Sequence, residues 1–324
     1  MNVVEVAQQL ADEVLFPAAL ETDAADVVPR EILDAVAAAG LYGSALDVDF
    51  PTVCAVQEAL ASGCLTTAFL WAQHLGLVHM LAISENEELR GRWLDRLSRG
   101  EVRAGLALGG TLPQPTLHAR RDGGGWRLDG VSPFVSGWGR IDVVHTAART
   151  GDEVVWLIVD ARESAELRIE RLRLAVLDAT ATVRASFDGL AVPDERVTGG
   201  HAAGGPTPPE VLRLHASLAL GVASRCCRLL GPTPLDDELV TCRVELDRFD
   251  PGTIAGARAA AGELALRAAA ALSVAQGSRS LLAADHAQRL AREALFTLVY
   301  ALRPVSKESL LARLHATASA PGGA

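Results

Sequence analysis

Asp122-Gly123-Gly124-Gly125-Trp126-Arg127-Leu128-Asp129-Gly130, followed by Phe134-Val135-Ser136-Gly137, sets a turn at the head of a strand in the middle of the chain. The aspartate and three glycines make a turn, and beyond it the apolar Trp126 and Leu128 alternate with Arg127 and Asp129. Alternation with a period of two is the pattern of a half-buried strand. The same period runs from about Val102 to Val197. Val143-Val144-His145-Thr146-Ala147 leads into a second turn at Arg149-Thr150-Gly151-Asp152. Val154 to Val159 is a buried-strand run, and Thr182 to Phe187 alternates again. These segments predict a β domain over residues 102–200.

On both sides the period changes to that of a helix. Upstream, Ile32, Leu33, Val36, Ala37 and Leu41 form one apolar stripe that stops at Gly40 and Gly43. A second helix runs through Val53, Val56, Leu60 and Ala61. A third, Leu65 to Ile83, is apolar almost all round and so predicts burial on every side. Ser84 to Glu88 reads as a cap with an acidic first turn. Downstream, His201 to Pro209 reads as a Gly/Pro/Ala linker. From Pro209 a helical region continues to about Leu314, broken at Pro232 and Pro234 and at Asp250-Pro251-Gly252. The tail Ala318 to Ala324 is expected to be disordered. The order is an α+β one: an N-terminal helical domain (1–101), a middle β domain of barrel or sandwich type (102–200) and a C-terminal helical bundle (201–324).

The 324 residues are 49% hydrophobic and 22% charged, an ordinary globular balance for a core of this size. A net charge of −10 gives no basic footprint for nucleic acid or an anionic membrane. Lys307 is the one lysine among 30 basic residues, which reads as coding bias rather than chemistry. The five cysteines (Cys54, Cys64, Cys226, Cys227, Cys242) are odd in number and lack C-x-x-C spacing, so buried reduced thiols are expected. Met1 to Leu10 lacks signal-peptide features, and no apolar run approaches the ~20 residues of a membrane helix. A soluble, cytoplasmic protein is expected.

The order and lengths of these regions resemble the acyl-CoA dehydrogenase family. Three stretches carry the resemblance. Ser62 to Trp71, with His74, is similar to the family's buried N-terminal helix. The Gly124–Gly130 hairpin with Phe134-Val135-Ser136-Gly137 is similar to its hairpin and aromatic-aliphatic-hydroxyl segment, which lies against a flavin ring. Leu290-Ala291-Arg292-Glu293-Ala294 resembles its Arg-Asp-Ala run. The resemblance implies FAD at a subunit interface, an acyl thioester on coenzyme A or a carrier protein as substrate, and a homodimer or homotetramer. It also places residues. Phe134 and Val135 would offer the flavin an apolar surface, and the Ser136 hydroxyl would meet its polar edge. Leu108-Gly109-Gly110 stands where the family has Thr-Glu-Pro, leaving only backbone amides to approach a ligand.

The chain departs from the pattern elsewhere. Of the family's Gly-Gly-x-Gly loop only Gly277 remains, fifteen residues before Arg292, with Arg279 beside it as a cation for pyrophosphate. Arg243 is a loose counterpart of an Arg-x-Phe-Gly contact whose Phe-Gly is missing. Many members carry the base that removes the α-proton in a Tyr-Glu-Gly-Thr stretch. The register from Arg292 puts Tyr300 in place but Ala301 where the glutamate belongs. Glu210, at the start of the first long C-terminal helix, is the nearest alternative base, although a Glu after Pro at a helix start is also ordinary charge compensation. Three activities stay open: an acyl-thioester oxidoreductase with a relocated base, a flavin-dependent monooxygenase that needs none, and a non-catalytic subunit completing a paralogue. No metal site is expected, since His74 and His79 lack an adjacent carboxylate.

Overall fold

In the computed structural model, which describes residues 1–315, the Asp122–Gly125 turn closes a two-residue hairpin. Gly123 sits at φ +59°, in the region that suits the tight turn joining twisted antiparallel strands. Strand β2 (Leu117–Asp122) enters the turn and β3 (Gly125–Val135) leaves it. Trp126 and Leu128 go into the core with Leu117, Val135, Val155, Leu157 and Phe187, and Arg127 turns outward to Asp122. The strand does not end after Asp129. It runs on to Val135 with register shifts at Leu128/Asp129 and Ser132/Val135. Pro133, which has no N–H to give a ladder, lies inside the second shift.

The other strands are β1 (Ala104–Ala107), β4 (Val143–Thr150), β5 (Glu153–Asp160), β6 (Leu167–Arg171), β7 (Val183–Pro193) and β8 (Val197–Ala202). They form one mixed eight-stranded sheet in the order β6-β7-β3-β2-β4-β5-β8, with β1 parallel to β4. Strand β8 takes His201 and Ala202 out of the expected linker, because His201 pairs with Val154 of β5. That pairing partner lies far away in sequence, and local composition gives no sign of it.

The N-terminal helices are α1 (Val3–Leu10), α2 (Ala19–Ala24), α3 (Arg30–Ala38), α4 (Phe50–Gly63), α5 (Leu65–Ala82) and α6 (Glu87–Ser98). Asn86 caps α6, its side-chain oxygen accepting from the Leu89 N–H at 3.0 Å. The C-terminal helices are α7 (Pro209–Leu230), α8 (Pro234–Leu246), α9 (Ile254–Gln276), α10 (His286–Val299) and α11 (Pro304–His315). The expected tail, Ala318 to Ala324, lies outside the described residues. The contacts divide the chain into two units. Residues 1–56 and 66–206 form the first. Residues 57–65, from the second half of α4 to the first residue of α5, group with the chain from 207 onward in the second. No helix among the described residues is long and apolar enough to cross a membrane. Four of the five thiols are buried, and Cys242 is half-buried.

Within the first unit the apolar α5 is keyed by polar bonds. Trp71 donates its indole N–H to the Leu41 carbonyl at 2.9 Å. His74 is fully enclosed, with Nε2 at 3.1 Å from the Leu97 carbonyl, and its Nδ1 accepts the Ala104 N–H at 3.1 Å. One nitrogen faces an acceptor and the other a donor, which fixes the neutral Nε2–H tautomer. Burial lowers the His74 pKa to about 4, and burial lowers that of His145 in β4 to about 3.

Both folded pKa values lie below the unfolded value near 6.5, so the unfolded chain binds the extra protons as pH falls. Stability held above pH 6.5 is then lost between 6.5 and about 4, at up to about 1.4 kcal/mol per unit for each histidine. Urea midpoints measured at pH 7.5, 6 and 5 should fall steadily below 6.5. A midpoint that stays level to pH 5 would contradict this account of the buried imidazoles.

Candidate active site

In the first unit, Leu108-Gly109-Gly110-Thr111 leaves β1 as a single tight turn laid on the sheet. A Cβ on Gly109 would stand 2.6 Å from the Val131 carbonyl oxygen of β3 and 2.7 Å from Leu117 Cβ. One on Gly110 would meet Ala148 and Arg149 backbone atoms of β4 at 2.6 Å. The Gly109 carbonyl accepts from Thr116 N–H at 3.0 Å, and the Gly110 carbonyl from Arg149 Nε at 3.2 Å. Contact with the sheet backbone is therefore sufficient reason for both glycines. Leu108 stays partly exposed beside them.

At the end of β3 the alternation sorts three predicted residues. Phe134 is 63% exposed, Val135 is wholly in the core, and Ser136 is buried. The Ser136 hydroxyl is 2.8 Å from Thr182 Oγ1, which is 2.8 Å from Thr180 Oγ1, which donates to the Leu177 carbonyl at 2.7 Å. Counting protons along this chain gives it a direction. Thr180 gives its only proton to Leu177, so Thr182 donates to Thr180 and Ser136 donates to Thr182. Ser136 therefore has only lone pairs left for any further partner, a polarity that a serine, able to donate or accept, does not show by its residue type. The segment is held from both sides. Gly137 N–H donates to the Thr180 carbonyl at 2.6 Å, and Leu177 and Ala181 flank Thr180 in the left-handed region at φ 58° and 50°. Such non-glycine conformations cost on the order of 1 kcal/mol each and persist where surroundings impose them.

The second unit holds the remaining predicted residues. Arg243 on α8 is bound through Nε at 2.8 Å to the Glu58 carboxylate, and its Nη2 contacts the same oxygen. Gly277 ends α9 at φ +65° and starts a short 3-10 turn. Arg279 in that turn is exposed and 3.5 Å from Asp285. Glu210 stands exposed in the first turn of α7, directly after Pro209.

Tyr300 caps the end of α10, and Ala301 follows it at φ 48°. The Tyr300 ring stacks on Phe296 at 5.3 Å and meets His215 of α7 edge-on at 5.1 Å. His215 and Glu210 share α7 but are five residues apart, so they point some 140° away from each other. His215 was not singled out in the sequence, where it is one more histidine in an apolar helix. Only its distance of about eighty residues from Tyr300, closed by the packing of α7 on α10, reveals it. Burial, then the charges of Arg258 and Arg303, lower its pKa to about 3.

With this geometry in view, a sequence profile of the acyl-CoA dehydrogenase N-terminal domain matches residues 2–101. Solved structures match over nearly the whole chain. Glutaryl-CoA dehydrogenase from Mycobacterium smegmatis in complex with FADH2 superposes with a TM-score of 0.78 at 17% identity, covering 98% of this chain and 94% of that one. Butyryl-CoA dehydrogenase from Megasphaera elsdenii gives 0.78 at 16% identity, with coverage of 96% and 97%. Dibenzothiophene monooxygenase from Paenibacillus sp. A11-2 gives 0.76 at 16% identity, with coverage of 97% and 96%. No curated protein sequence matches the chain. Residues 2–101 thus match the acyl-CoA dehydrogenase N-terminal domain, and the whole chain has the acyl-CoA dehydrogenase fold.

The two kinds of glycine can be separated by substitution. Gly110→Ala forces its Cβ into β4 backbone and should lower unfolding free energy by about 2 kcal/mol. Gly91→Ala in α6, where a Cβ meets nothing within 4 Å, should raise it by roughly 0.5–1 kcal/mol. Chemical unfolding of the two variants beside the parent checks both signs.

Proposed function

We propose that this protein is an FAD-dependent oxidoreductase acting on an acyl thioester of coenzyme A or an acyl carrier protein. The observation that carries the reading is the pairing, at the end of β3, of an exposed aromatic ring with a buried hydroxyl whose proton is directed inward. A planar heteroaromatic cofactor asks for an apolar surface beside a defined polar contact, and Phe134 with Ser136 fits that demand. When bound, the flavin supplies a two-electron acceptor. Ser136, as an acceptor, would suit an N–H at the flavin edge. Leu108, Gly109 and Gly110 would approach through backbone, and Val135 fixes the strand beneath. In the second unit Gly277 and Arg279 would serve the pyrophosphate end. Arg243, bound to Glu58, would shape that region rather than offer a free charge.

For the proton, the position usually given to a carboxylate holds Ala301, whose methyl group accepts nothing. Glu210 is the proposed base: it carries a carboxylate in the exposed first turn of α7. A second reading, a flavin-dependent monooxygenase using oxygen, is favoured by the same alanine because that chemistry removes no α-proton. The likeness to a dibenzothiophene monooxygenase is compatible with it. We further propose the partition into residues 1–101, 102–200 and 201–324, a cytoplasmic location, and a homodimer or homotetramer joined through the C-terminal helices. Apolar pairs at helical spacing, Val240 with Val244 on α8 and Leu295 with Val299 on α10, are exposed and support such assembly.

The visible spectrum of the purified protein after incubation with FAD and removal of the excess tests the cofactor. Flavin bands that stay with the protein are expected, and a colourless protein would count against both flavin readings. The base is tested by exchange of the α-protons of a bound acyl-CoA with deuterated solvent. Glu210→Gln should slow that exchange by about two orders of magnitude or more, and an unchanged rate would remove Glu210.

A further inference from the structure

We propose that the second unit holds a binding site for a carboxylate, formed by His215 of α7 and Arg303 at the α10–α11 turn, and that the acyl group this protein takes carries such a carboxylate. The second half of the proposal rests on the acyl-thioester reading. The first half stands on the side chains alone.

His215 lies against the Tyr300 ring, one residue before Ala301. Its Nδ1 is buried and has no partner among the described residues. Arg303 Nε is buried and unpartnered in the same way. Two polar atoms left in this state are costly, and a ligand acceptor group would relieve the cost. Arg258, only 2% exposed, gives Nη2 to the Thr297 carbonyl at 2.9 Å and to the Tyr300 carbonyl at 3.1 Å. It therefore finishes the carbonyl end of α10 with a cation. Neither Arg258 nor Arg303 pairs with a carboxylate among the described residues. The groups acting on His215 are thus Tyr300 by ring contact and two arginines by charge, with no acid to balance them.

Arg258, a buried cation, and the half-buried Arg303 both lack a counter-charge, and such a place favours an anion. A carboxylate suits this place because it can accept from a guanidinium and an imidazole together. An unsubstituted aliphatic chain would leave both nitrogens unsatisfied. That difference is the basis for selection. Alanine at position 301 is consistent with the same arrangement, since a carboxylate there would compete for the arginines. With the anion bound, the imidazole gains a negative neighbour and its proton affinity rises.

The test uses the full chain with 15N-labelled histidine, and the His215 ring signal is assigned by its loss in His215→Gln. Titration with glutarate near neutral pH should move that signal saturably. Arg303→Gln should weaken the effect about tenfold and leave the other seven of the eight histidine signals in place. No movement of the His215 signal overturns the site, and a stronger response to inorganic phosphate overturns its assignment to a carboxylate. Should Arg303→Gln disturb the fold, the parent protein decides by calorimetry. Glutaryl-CoA should bind about tenfold tighter than pentanoyl-CoA, which has the same chain length without the charge. Equal affinities overturn the acyl-selectivity inference. If glutarate moves the signal and neither thioester binds, the thioester reading falls while the carboxylate site stands.

Discussion

His74 ties together three elements of the first unit. Its ring hangs from α5, its Nε2–H reaches the last turn of α6, and its Nδ1 takes the backbone N–H that opens β1. Only a neutral imidazole can do this, with one donor and one acceptor in fixed positions. Burial in an apolar helix keeps it neutral. Because the bond falls on Ala104, it sets where β1 begins and so how β1 enters the sheet beside β4. Five residues later the chain reaches the Gly109-Gly110 turn, whose close approach to β3 and β4 depends on that entry.

Rigidity then passes to the hydroxyl chain. Ser136, Thr182 and Thr180 are each one hydroxyl long. Their single protons run in one direction because the last acceptor is a backbone carbonyl. Two residues in left-handed conformation hold that carbonyl and its neighbours in register. A site organised in this way does not need to reorient when a ligand arrives, which is the property that makes fixed dipoles effective. Its polarity is a consequence of the network, and no single residue in it would reveal that polarity.

In the second unit the electrostatics have the opposite character. Arg213 and Arg243 are matched to Asp247 and Glu58. Near Tyr300 this matching stops: Arg258 meets only carbonyls, Arg303 keeps an unpartnered nitrogen, and His215 is held neutral by burial and by both arginines. What sets the place apart is that Arg258 and Arg303 meet no carboxylate among the described residues, and the proposed anion would fill that role. Ala301, in a left-handed turn directly after Tyr300, belongs to the same local arrangement.

The alternation around Trp126 and Leu128, the glycine turn before them and the apolar stripes of the helices were legible in the sequence because each is a local consequence of one residue's neighbours. They fixed the α+β order and the element types. The sequence also showed that Ala301 cannot act as a base, since that follows from its side chain alone. What the sequence could not show depends on residues distant along the chain. The extension of β8 through His201 required β5 opposite it. The need for Gly110 required the backbone of β4, and the direction of Ser136's proton required Leu177. The polar cluster around His215 required α7, α9 and the end of α10 to be brought together. Side-chain type and spacing are properties of the chain, whereas partner, burial and net field are properties of the packed structure. The tertiary fold alone decided which arginines meet a carboxylate and which, like Arg258, meet only carbonyls.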